Sequence, residues 1–261
     1  MERLNVRPED LRWLADDPDG YITGYDKSGW DASTWVLHAM WEQPSFGPVT
    51  YDELRRQQVA DGTVEREAFG GIDLDDGRFV ATGVPLGYVE APGEGWRRLR
   101  WRALADRLGF GLGVDQPVPP CFRWFPMNSW PVDILPPSEG SLDGTSLRAL
   151  LQVLSQHSPA GDETQCFAFY GSSPTGDYDN PTVYSGSIGA VAAFSASEDV
   201  TGSPSNFWPD DRSWFVYTDW DCMATKVSGS HDLVEAMRAA ADLETFPIKA
   251  ELTPAGHDRT R

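Results

Sequence analysis

The chain is short of positive charge: 21 Lys and Arg stand against 40 Asp and Glu, a formal charge of −19. Phosphate backbones and anionic lipid surfaces are bound by concentrated cations, so this balance excludes nucleic acid and the membrane surface as main partners. Cysteine is scarce as well. Cys121, Cys166 and Cys222 are odd in number, widely spaced and free of any C-x-x-C pair, which signals neither a disulfide framework nor a zinc knuckle. No run of eighteen uncharged apolar residues occurs, and the opening MERLNVRPEDLRWLADD holds no apolar signal-peptide core. The expectation is a soluble, cytoplasmic protein with free thiols.

The familiar catalytic and cofactor motifs are missing too. There is no Walker A loop, no H-E-x-x-H and no dinucleotide G-x-G-x-x-G. Ser185-Gly186-Ser187-Ile188-Gly189 lacks the first glycine of G-x-S-x-G. Asp73-Leu74-Asp75-Asp76-Gly77 echoes a calcium loop, but its glycine comes one residue early and Val84 takes the place of the terminal glutamate. No cofactor is signalled beyond a divalent cation at the acidic sites below.

What is present is material for a core: 261 residues, 40% hydrophobic, with eleven tryptophans. Pro8 to Ala15 predicts a short helix, and the alternation of Trp35, Leu37, Ala39 and Trp41 predicts one strand over Ser33 to Glu42. Thr50-Tyr51-Asp52-Glu53 is a capping box that opens a helix stopped by Gly62. Strands are expected around the Asp75-Asp76-Gly77 turn within Ile72 to Glu90. Trp101, Leu104, Ala105 and Leu108 mark a helix closed by Gly109, and Leu147, Leu150, Leu151 and Leu154 mark another that starts near Asp143 or Gly144.

Further on, Cys166 to Tyr170 and Thr182 to Tyr184 read as strands around a polar Gly171 to Pro181 loop, and Ile188 to Phe194 reads as a small-residue helix. Ser213 to Asp219 and Met223 to Val227 form a β-hairpin. Ser230 then caps a helix carrying Leu233, Val234 and Met237, and Thr245 to Leu252 returns as a strand. The fold class is α+β, with a mixed or mainly antiparallel sheet and packed helices. Residues 111–140 hold seven prolines and no lasting period. They either cross a single domain spanning 1–261 or join sub-domains 1–110 and 141–252.

The segment Trp208-Pro209-Asp210-Asp211-Arg212-Ser213-Trp214-Phe215-Val216-Tyr217-Thr218-Asp219, with Asp221, Thr225, Val227, Gly229 and Ser230 after it, resembles the C-terminal signature of a family of uncharacterised, acidic, Trp-rich bacterial proteins. Gly29-Trp30-Asp31-Ala32 through Val36-Leu37-His38 is similar to that family's N-terminal strand. The resemblance implies one inherited fold and transfers no catalytic residue.

Charge is uneven along the chain. Ser158 to Cys222 holds ten acids against Arg212 alone, whereas Trp96 to Arg107 holds Arg97, Arg98, Arg100, Arg102 and Arg107 against Asp106. The blocks either neutralise each other or face partners. Asp219 and Asp221, two apart on the expected strand, would point the same way and could share Mg²⁺ or Mn²⁺. The alternative is a solvated hairpin turn. Asp210 and Asp211 are binding candidates that reach this site only if the chain folds back.

Ser228-Gly229-Ser230-His231 could hold an anion at a helix start, with His231 as a general acid or base, or could be a plain N-cap. His38, in an apolar strand, and His157, at a helix end, read as structural. The tryptophans read as packing anchors, with Trp220 the binding candidate beside the acids. Three functions follow. The first is an acidic interaction protein, immunity-like, that meets a basic protein partner. The second is a metal-assisted hydrolase or transferase centred on Asp219 and Asp221. The third is a carbohydrate-binding module.

Overall fold

The computed structural model describes residues 1–4, 13–14, 26–47, 49–63, 92–113, 118–125, 130–170, 182–200 and 202–248. In chain order the strands are β1 (Glu2–Leu4), β2 (Ala32–Leu37), β3 (Met40–Glu42), β4 (Arg97–Leu99), β5 (Ile134–Leu135), β6 (Gln165–Phe169), β7 (Val183–Ser187), β8 (Asn206–Pro209), β9 (Phe215–Tyr217), β10 (Ala224–Gly229) and β11 (Thr245–Pro247). The helices are α1 (Tyr51–Ala60), α2 (Trp101–Leu108), α3 (Gly144–Gln156), α4 (Ile188–Ser195) and α5 (His231–Ala239). The fold is α+β. Eight strands form an antiparallel sheet in the order β1-β7-β6-β8-β9-β10-β2-β11, and β4-β3-β5 form a small second sheet. Strands from the N-terminal and C-terminal stretches interleave in the large sheet, with β2 between β10 and β11.

Both faces of the large sheet are covered, and side chains alternate between them as the pleat requires. Phe215 and Tyr217 join an aromatic core with Trp101, Trp124, Phe125 and Trp130, while Val216 between them joins the opposite core built on α3, α4 and α5. Phe207 and Trp208 divide in the same way. Because neither face meets water, these strands read as near-continuous apolar runs.

Helix starts follow local capping. Glu53 N–H donates to Thr50 Oγ1 at 3.3 Å and Thr50 N–H donates to Glu53 Oε2 at 2.9 Å, a complete capping box. Asp143 caps α3 by accepting from the amides of Thr145 and Ser146, and Ser230 caps α5 by accepting from Leu233. Gly109, at φ +70°, closes α2 in the left-handed conformation.

The expected single strand over Ser33 to Glu42 is two strands in two sheets. At the break, His38 N–H donates to Met223 O at 2.9 Å and His38 O accepts the Trp101 indole N–H at 2.7 Å, so tertiary bonds replace the ladder. The first arm of the expected hairpin is shorter, β9 running only from Phe215 to Tyr217, while the second starts one residue later, at Ala224, and runs on to Gly229. The arginine-rich stretch is a strand followed by a helix. The expected Pro8 to Ala15 helix, apart from Trp13 and Leu14, lies outside the described residues, as do the Ile72 to Glu90 strands, the Gly171 to Pro181 loop and Asp177 and Asp179. Among the described residues, no helix is long and apolar enough to cross a membrane.

Candidate functional site

Asp219, Trp220 and Asp221 lie in the β9–β10 turn. Asp219 is 4% exposed. Its Oδ1 accepts the Asp221 N–H at 2.8 Å, its Oδ2 accepts the Tyr217 hydroxyl at 3.2 Å, and its carbonyl accepts the Cys222 N–H at 3.1 Å. The carboxylate therefore holds the turn closed, in the way aspartate side chains stand in for backbone acceptors. Asp221 is exposed. One carboxylate is thus buried and the other faces solvent, because the strand ends before either residue. Among the described residues, no group of three or more His, Cys, Asp or Glu is placed to hold a metal ion.

Two parts of the proline-rich stretch close around this turn. Met223 N–H donates to Pro120 O at 2.8 Å, and Gly140 N–H donates to Cys222 O at 2.9 Å. Gly140 has φ +69°, and a Cβ there would stand 2.9 Å from Trp220 Cα, so only glycine admits the approach. The approach sets Glu139, half-buried, beside Asp221. Burial first, and then the Asp221 charge, pushes the Glu139 carboxyl up to about 6. The Cys222 thiol is pushed up by burial and by Asp219, and Cys121 is raised chiefly by burial. Both thiols are poor nucleophiles as they stand.

The rim of this surface is aromatic. Trp220 is 51% exposed, and Phe122, one residue beyond Cys121, is 42% exposed, with the Arg123 guanidinium 5.7 Å from its ring centroid. Trp35, Trp41, Trp101, Trp124, Trp130, Trp208 and Trp214 are buried, while Trp13, Trp30 and Trp96 are partly buried. Ten of the eleven tryptophans therefore serve packing, and Trp220 alone is free to meet a ligand face-on. Glu139 and Phe122 escaped the sequence reading because the stretch that carries them has no period. The glycine after Glu139 is the signal that could have drawn attention to it.

Asp210 and Asp211 sit at the other end of the sheet, in the β8–β9 turn. Asp210 N–H donates to Gln165 O at 3.2 Å, which brings this turn next to exposed Asp162 and Glu163. Asp211 Oδ1 accepts the Ser213 N–H at 3.0 Å. The exposed Arg212 guanidinium lies 4.0 Å over the Trp13 ring, at the edge of the aromatic core, and pairs with none of these acids among the described residues. His231 is exposed at the start of α5, at this same end. Six residues of β10, at about 3.3 Å each, separate it from the Asp219–Asp221 turn by about 20 Å. The fold therefore groups Asp210 and Asp211 with Asp162 and Glu163, and brings neither them nor His231 to Asp219 and Asp221.

The arginines do not face the acidic stretch. Arg97 bonds Glu42 at 2.9 Å, Arg98 bonds Asp143 at 3.1 Å, and Arg107 reaches Glu42 and Asp133 at 3.4 and 3.5 Å. Arg100 donates to Ala241 O, and Arg102 donates to Thr245 O at 3.2 Å. Every one of these partners lies outside 158–222. Asp162, Glu163, Glu198, Asp199, Asp210, Asp211 and Asp221 are exposed and make no ion pair among the described residues.

His38 is wholly buried, with Nδ1 2.6 Å from Ser138 O and Nε2 3.0 Å from Thr225 Oγ1. Burial, outweighing the Ser138 bond, lowers its pKa to about 4. The neutral ring donates Nδ1–H to Ser138 and accepts the Thr225 hydroxyl, which in turn accepts from Thr218 at 2.8 Å. His157 closes α3, its Nδ1 3.0 Å from Val153 O. Both histidines are built into the fold. No family model, no curated protein and no solved structure matches the chain.

Proposed function

We propose that the protein is a cytoplasmic interaction module, of immunity-protein type, that captures a basic protein partner at the surface around Trp220. The observation that carries this reading is the half-exposed Trp220 beside Asp221 and Glu139, two carboxyls without an ion-pair partner among the described residues. An incoming Lys or Arg side chain would gain twice there, from the carboxylates and from the indole face. The raised Glu139 carboxyl supports the same reading, since a cation placed beside it would offset the Asp221 charge and bring its pKa back down. The long-range field of a chain at −19 would add a fast, salt-sensitive encounter with a positive partner.

The test is a titration with a lysine- and arginine-rich decapeptide, followed by tryptophan fluorescence at about 50 mM and about 300 mM salt, on either side of a Debye length of about 10 Å. The reading expects saturable binding that weakens with salt, falls at least tenfold in Trp220→Ala and in Asp221→Asn, and survives Asp210→Asn. Fluorescence that responds to neutral oligosaccharides and not to the basic peptide would favour a carbohydrate-binding module instead.

A further inference from the structure

Away from the Trp220 surface, Arg100, Arg102 and Arg238 converge on an open hollow of about 370 Å³, floored by Glu244 and Thr245. Arg100 immediately precedes α2, Arg102 lies in its first turn, and Arg238 lies in the last turn of α5. Three of the chain's 21 cations thus meet in one concavity of a strongly acidic protein.

Glu244 offsets their charge only in part. It is 9% exposed, and its two carboxylate oxygens accept the Trp101 N–H at 2.8 Å and the Arg102 N–H at 3.0 Å. Its two oxygens are occupied by free amides at the start of α2 and not by a guanidinium. The guanidiniums have donors to spare. Arg100 gives one N–H to Ala241 O, Arg102 gives one to Thr245 O at 3.2 Å, and Arg238 forms an ion pair with Glu235 at 2.6 Å. A guanidinium carries five N–H donors in a planar fork, so most of those around the hollow have no acceptor among the described residues. Arg100 and Arg102 have no ion-pair partner among the described residues, so an anion bridging the hollow would meet two uncompensated guanidiniums beside the paired Arg238.

We propose that this hollow is a binding site for a small phosphate-bearing molecule, its phosphate oxygens held by Arg100, Arg102 and Arg238. The volume falls in the range of small-molecule sites, about 300 to 1,000 Å³. A doubly charged, many-oxygened phosphate group matches three planar forks better than a single carboxylate does. The site is independent of the Trp220 surface and needs no partner protein.

The experiment is isothermal titration of the full chain with inorganic pyrophosphate at low salt, repeated with Arg238→Gln. Among the described residues the Arg238 side chain bonds only Glu235, on its own helix, so this variant keeps the fold. The expected result is saturable binding that weakens at least tenfold in Arg238→Gln and is lost in Arg102→Gln/Arg238→Gln, whose circular dichroism matches the parent. Absence of saturable binding, or binding unchanged in the double variant, would overturn the assignment.

Discussion

His38 makes the stability of this protein fall in acid, by an amount that follows from its surroundings. The ring is wholly buried and neutral, with a pKa lowered to about 4 from the ordinary 6.5. Between those two values the unfolded chain takes up a proton that the native ring refuses, so the unfolded state binds more protons and stability rises with pH. Its contribution is fully present above pH 6.5 and is lost progressively down to pH 4. With these constants, a fall from pH 7.5 to pH 5 removes about 2 kcal/mol. Glu139 acts in the opposite sense: its carboxyl is raised to about 6, so the native state takes up its proton first and gains stability as pH falls from 6 toward 4.5. The clean observable is therefore the difference between the parent and His38→Gln, which keeps a donor and an acceptor but does not titrate. Urea unfolding of both proteins at pH 7.5, 6 and 5 should show the parent's advantage shrinking by about 2 kcal/mol over that range. Parallel stability curves, with a gap constant across pH, would refute the reasoning.

Asp219→Asn should destabilise the fold by about 1 to 3 kcal/mol, because the amide can no longer accept at both oxygens while the Asp221 N–H and Tyr217 hydroxyl stay in place. Thermal melts of this variant with and without millimolar Mg²⁺, Mn²⁺ or Ca²⁺ also test the metal reading: a stabilisation of the parent by cation that both Asp219→Asn and Asp221→Asn abolish would make this turn a cation site. Gly140→Ala meets both a left-handed φ of +69° and the Trp220 backbone, so it should lower the melting temperature and shift Trp220 fluorescence together. Asp143→Ala removes the cap of α3 and the carboxylate partner of Arg98, and should lose about 1 to 3 kcal/mol in urea unfolding.

Elements specified within a few residues were legible in the sequence. Thr50 with Glu53, Asp143 before the leucine stripe, and Ser230 before Leu233 each announce a helix by supplying an acceptor to its first amides. Elements set by distant partners were not. β2 and β3 look like one strand because the apolar alternation runs on past His38, yet bonds to Met223 and Trp101 turn the chain there. β8 was not legible: the expected hairpin begins at Ser213, and Asn206–Pro209 becomes a strand through its pairing with β6 and β9. The candidate site was half legible. Trp220 and Asp221 stand together in the sequence, whereas Glu139 and Phe122 reach them only through the contacts of Pro120 and Gly140 with the β9–β10 turn. The acidic stretch looked like one surface on paper, but antiparallel strands carry its acids to opposite ends of the sheet.

The central claim is that a cationic group of a partner docks on Trp220 between carboxylates. Fluorescence titration of the parent, Trp220→Ala, Asp221→Asn and the Asp210→Asn/Asp211→Asn double variant with one basic decapeptide tests it most directly. The account predicts at least a tenfold loss in the first two variants and near-parent affinity in the double variant. Equal affinity in the parent and Trp220→Ala, or loss confined to the Asp210→Asn/Asp211→Asn variant, would contradict it.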